Sequence, residues 1–72
     1  MTPEVYHNKS FNYIKVIDLA IHIATKSKKP FVAERFDGKV PAEINLHYKT
    51  CGYATELYYD ELNNISELRI II

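Results

Sequence analysis

No glycine or proline falls between Ser10 and Pro30, and that uninterrupted stretch constrains the fold more than any other feature of the chain. Ser10 is a good N-cap residue, Phe11 to about Lys28 suits a helix, and Pro30 stops it because proline lacks the N–H that a continuing helix needs. The stretch predicts one N-terminal helix of about five turns. At the helical repeat of about 100° per residue, Lys15, Asp18, His22, Thr25, Lys26 and Lys29 share a narrow polar face. Ile14, Val16, Ile17, Leu19, Ala20, Ile21, Ile23 and Ala24 take up the rest. A helix lying on one sheet needs an apolar stripe of little more than about 100°. This arc is wider, so a second cover is expected: either neighbouring loops or the Val5 and Tyr6 arm, or a homodimer or heteromeric contact, with Ile14, Leu19 and Ile23 as the association residues.

Beyond Pro30 the apolar period changes from the helical repeat to two. Phe31 to Phe36, Asp37-Gly38 and Lys39 to Tyr48 read as a hairpin, because Asp-Gly supplies the positive φ of a type I′ turn; Pro41 then belongs at a bulge or an unpaired edge. Cys51-Gly52 marks the next turn, Tyr53 to Asp60 a third strand, and Ile65 to Ile72 a fourth beyond a loop holding Asn63-Asn64. The expected fold is α+β, with the helix packed on one face of a four-stranded antiparallel meander, in a single domain spanning residues 1–72. A competing reading makes Ala54 to Leu62 a second helix, but Tyr58-Tyr59 and the following Asn-Asn favour strand and turn.

Each turn fixes which residues oppose each other, and so which share a face. A four-residue last loop sets Thr55 and Leu57 opposite Ile70 and Leu68, whereas a two-residue Asn63-Asn64 turn would set Asp60 against Glu67. The helix-covered face then collects Phe31, Ala33, Ala42, Ile44, Leu46, Tyr48, Leu57, Tyr59, Leu68, Ile70 and Ile72. The opposite face collects Glu43, Asn45, His47, Lys49, Glu56, Tyr58, Glu67, Arg69 and Ile71. Across it His47, Glu56 and Arg69 are expected to form a row of alternating charge.

The nine basic and nine acidic side chains cancel, which weighs against a general nucleic-acid binder, although residues 1–50 hold eight of the basic ones. The lone Cys51 cannot form an internal disulfide, and no stretch is long and apolar enough for a signal peptide or a membrane span, so the expected setting is cytoplasmic and away from membranes. Two glycines cannot build a phosphate loop, and neither a nucleophile elbow nor zinc-ligand spacing occurs. His22 and His47 are the candidates for a histidine-dependent hydrolase, but they fall on different faces. Asp18 and His22 at i, i+4 are two ligands where zinc needs three or four. No metal or cofactor is therefore expected.

What remains is binding. The leading expectation is a non-enzymatic regulator or inhibitor of another protein, with Tyr58, Glu56, Glu67, Arg69 and His47 as contact residues. Abundant Lys, Asn, Ile and Tyr also fit an A+T-rich gene of phage or mobile-element type. The alternative is a nucleic-acid regulator using Lys9, Lys15, Lys26, Lys28, Lys29 and Lys49.

Overall fold

A computed structural model describes the backbone of residues 3–72 and the side chains from Asn12 onward. The elements are α1 (Pro3–Lys26), β1 (Phe31–Asp37), α2 (Ala42–Thr50), β2 (Ala54–Asp60) and β3 (Ile65–Ile71). The three strands form one antiparallel sheet in the order β1-β3-β2. The fold is α+β with the expected N-terminal helix and the expected β2–β3 hairpin, but it has three strands and a second helix where a four-stranded meander was expected.

Helix α1 runs through Ser10, which is therefore interior to it and not its cap; the side chain of Ser10, like that of Lys9, lies outside the described residues. Its C-terminal end is a Schellman motif. Lys29 N–H donates to Ala24 O and Lys28 N–H to Thr25 O, with Lys28 left-handed at φ 57° and Pro30 following. A left-handed lysine carries a steric penalty that glycine avoids.

The segment expected as a second strand is α2. Pro41 occupies its N-cap position, where a missing N–H costs nothing because the first helical amides have no intrahelical acceptor. Ile44 and Tyr48, four residues apart, are buried, while Leu46 between them is 64% exposed. The alternation Ile44, Leu46, Tyr48 fits a strand, but the spacing of Ile44 and Tyr48 also fits one helix face, and burial follows the helix. A second Schellman motif ends α2: Gly52 N–H donates to Lys49 O and Tyr53 N–H to Tyr48 O, with Gly52 at φ 95° and the Tyr53 ring against Tyr48.

Because α2 intervenes, Asp37-Gly38 does not close a hairpin. Gly38 N–H donates to Asn64 O and Ser66 Oγ donates to Gly38 O, so β1 pairs with β3 to its last residue before the chain leaves the sheet. The C-terminal strand is thus central, with pairs Val32↔Ile70 and Glu34↔Leu68 on one side and Thr55↔Ile70 and Leu57↔Leu68 on the other. The β2–β3 register is the one expected from a four-residue loop. Asp60 builds that loop by accepting N–H groups of Leu62 and Asn63 and the Asn63 side-chain amide, contacts that hold its carboxyl below the ordinary range.

Both helices cover the face carrying Ser66, Leu68 and Ile70. From β1 that face takes Val32 and Phe36, not Phe31 and Ala33 as expected. The core joins Ile17, Ile21 and Ala24 of α1 to Val32, Phe36, Ile44, Tyr48, Leu68 and Ile70. Tyr48 bridges the helices: its buried hydroxyl donates to Asp18 Oδ1 at 2.8 Å, with Ile14 O at 3.2 Å.

Burial, and then the Asp18 carboxylate, push the Tyr48 phenol well above its ordinary range. The folded state therefore keeps a proton that the unfolded chain loses above pH ~10, and stability should fall beyond that point by about 1.4 kcal/mol per pH unit. Tyr48→Phe should remove this alkaline slope while costing about 1 kcal/mol at neutral pH. Lys28→Gly should raise stability by roughly 0.5–1 kcal/mol, since it relieves the left-handed lysine. Urea unfolding of the three proteins at pH 7 and at alkaline pH reads each effect.

Candidate protein-binding face

The face of the sheet away from the helices is built from four cross-strand rows. They are Phe31–Ile71–Ala54, Ala33–Arg69–Glu56, Arg35–Glu67–Tyr58 and Asp37–Ile65–Asp60, each read from β1 through β3 to β2. Arg69 lies at the centre. Its guanidinium carbon sits 5.0 Å from the Phe31 ring centroid and 4.7 Å from that of Tyr58. Both rings are diagonal neighbours of Arg69 across the strands, within reach of long side chains. Arg69 Nε donates to Glu67 Oε2 at 2.6 Å, and Arg35 Nε lies 3.6 Å from Glu67 Oε1. Tyr58 O–H in turn donates to Glu56 Oε1 at 3.1 Å.

The result is an aromatic–arginine–aromatic plate whose members hold one another in place. The Arg69 hydrogen bond lowers the Glu67 carboxyl from its ordinary range, and the same contact raises the Arg69 guanidinium. An open depression of about 500 Å³ lies over the plate, with Arg35, Tyr58, Glu67 and Arg69 in its wall. The face carries Arg35 and Arg69 against Asp37, Glu56, Asp60 and Glu67, two positive charges against four negative.

Of the expected contact residues, Glu56, Tyr58, Glu67 and Arg69 come together here, and Glu56 is opposite Arg69 as expected. The ion pair of Arg69, however, is made within its own strand to Glu67. His47 does not belong to the face. It lies on α2, in the helix layer, with its ring edge-on to Tyr48 and its Nε2 3.8 Å from Cys51 Sγ. The expected His47–Glu56–Arg69 row fails for that reason. Sequence reasoning missed Phe31 and Arg35, because a strand with apolar residues at both parities, Phe31 and Ala33 against Val32 and Phe36, gives no face from its pattern alone.

The expected self-association residues divide. Ile14 packs against the core, whereas Leu19 and Ile23 are 60% and 53% exposed beside Val16 at 57%. His22 is exposed on α1, and Lys26, Lys28, Lys29 and Lys49 are exposed at helix ends. Among the described residues no group of three or more His, Cys, Asp or Glu is placed to hold a metal ion, and no helix is long and apolar enough to cross a membrane. Comparison with protein-family models, curated proteins and solved structures finds no match to this chain.

Glu67 should titrate below the ordinary glutamate range in the native protein and move up toward it in Arg69→Met. Carboxyl-carbon chemical shifts followed against pH report both values. An unchanged Glu67 midpoint in the variant would mean that the Arg69 contact does not hold the plate.

Proposed function

We propose that the chain is a non-enzymatic binding protein, a small regulator or inhibitor that acts stoichiometrically by laying its open sheet face on a surface of another protein. The observation that carries this reading is the Arg69 guanidinium held between Phe31 and Tyr58 and pinned by Glu67. Arginine and tyrosine are over-represented among residues that dominate protein–protein binding energy, and side chains already fixed in place lose little entropy on docking. The acidic excess of the face favours a partner presenting Lys and Arg, and disfavours phosphate backbones. Leu19 and Ile23 offer a second apolar surface for self-association in the same reading. A cytoplasmic setting and a phage or mobile-element origin belong to it as well, the latter resting on the Lys-, Asn-, Ile- and Tyr-rich composition.

Affinity capture from the natural host lysate, with and without nuclease and at two salt concentrations, tests this. One stoichiometric protein should be recovered irrespective of nuclease. Its affinity should fall roughly 30-fold or more on Tyr58→Ala, the loss expected for an interface hot spot of about 2 kcal/mol. Retention by Tyr58→Ala and Arg69→Ala alike would overturn the proposal. Recovery that disappears with nuclease would move the function to Lys26, Lys28 and Lys29.

A further inference from the structure

The hydrogen bonds at both ends of the β1–β3 ladder reveal which backbone groups of β1 are left over. Ile72 N–H donates to Pro30 O at 3.0 Å, and Gly38 N–H to Asn64 O at 2.7 Å. Antiparallel ladders alternate between bonded and non-bonded pairs, so the even-numbered residues of β1 bond to β3. The amides and carbonyls of Phe31, Ala33, Arg35 and Asp37 point outward along an edge with no strand beside it among the described residues. Such an edge is a template for another strand. Beside it, a groove of about 300 Å³ between α1 and β1 is lined by Ala20, Ile23, Phe31 and Ala33.

We infer that this edge pairs with β1 of a second copy of the chain, antiparallel about a two-fold axis at Ala33, forming a continuous six-stranded sheet. The inference is independent of what the open face binds. Charge selects both the occupant and the register. Side chains must stay on their own faces, so only registers that set odd residues against odd are allowed. Centring on Ala33 sets Phe31 against Arg35 of the partner subunit and brings Lys29 level with Asp37 of the partner subunit. Besides its contact with Arg69, Phe31 is 38% exposed, and besides its contact with Glu67 the Arg35 side chain is 80% exposed, so both stay accessible for a cation–π contact. Centring on Glu34 would set two glutamates against each other, and centring on Arg35 two arginines. The other edge, β2, carries only Glu56 and Asp60, so no self-pairing of it brings opposite charges together.

Helix α1 lies so that the Tyr13 ring packs tilted against Phe36, with centroids 4.8 Å apart, while Ala20, Ile23 and Ala24 border Phe31 and Ala33. The two-fold axis therefore brings two α1 helices side by side, antiparallel, with the small Ala20 near the axis and Val16 and Ile23 flanking it. This covers part of the apolar surface that the monomer leaves exposed. An isologous contact of this kind closes at two subunits, whereas β1 against β2 of another copy would leave free edges and propagate.

Sedimentation equilibrium of the full chain over a concentration series tests the proposal, with circular dichroism confirming that each variant is folded. The native chain should be a dimer. Ala33→Lys, which sets two ammonium groups together at the axis, should weaken it roughly 100-fold or more. Leu57→Lys, on the β2 edge, should leave it unchanged. Lys29→Asp and Asp37→Lys should each weaken it about 3- to 10-fold, and the two combined should restore it. A native chain that stays monomeric at hundreds of micromolar would overturn the inference. So would a dimer broken by Leu57→Lys but not by Ala33→Lys, and failure of the combined charge exchange would overturn the Ala33 register.

Discussion

Strand β3 has to be paired along both edges and covered on one face, and the rest of the molecule is arranged to satisfy that demand. Its residues Ser66, Leu68 and Ile70 are buried, and leaving either of its edges unpaired would strand backbone donors and acceptors against the core. β2 meets one edge through a short hairpin. The other has to be met from far away in sequence, so β1 and β2 run parallel to each other with β3 between them. Parallel strands need a crossover, and α2 supplies it.

That crossover needs an anchor of its own, because α2 is short. Isolated helices of its length are marginal in water and depend on tertiary packing. Tyr48 provides that packing: its ring is buried in the core, its hydroxyl reaches α1, and its carbonyl closes the helix end through Tyr53. One residue thus joins the two helices and sets where the chain turns toward β2. In a domain of this size the loss of one such contact is a large part of the net stability.

The same arrangement generates the open sheet face and the free edge of β1. With both helices on one side of the sheet, the other side is left open, and the diagonal neighbours Phe31 and Tyr58 close on Arg69 only because β1 and β2 both flank β3. In a meander β1 would be two strands away and Arg69 would meet one ring. The placement of β1 at the rim likewise leaves its odd-numbered amides facing solvent next to the apolar flank of α1. An acidic, aromatic face and an unpaired strand edge are therefore products of one topological choice.

Short-range features were readable in the chain. The run from Ser10 to Pro30 specifies the body and C-terminal end of α1 and its excess of apolar surface, because helical periodicity is a local property. The β2–β3 register and the grouping of Glu56, Tyr58, Glu67 and Arg69 follow from a loop whose geometry is set by Asp60 and Asn63 themselves. The start of α1 was not readable, since Ser10 satisfies a capping pattern that the helix passes through. Residues 42–50 satisfy both periods at once, and what decides for helix is the meeting of Tyr48 with Asp18, 30 residues away. Nor does the chain reveal which parity of β1 faces the core, for that depends on the strand beside it. The tertiary structure decided the strand order, the inward face of β1 and the removal of His47 from the sheet, because each is set by partners that only folding brings together.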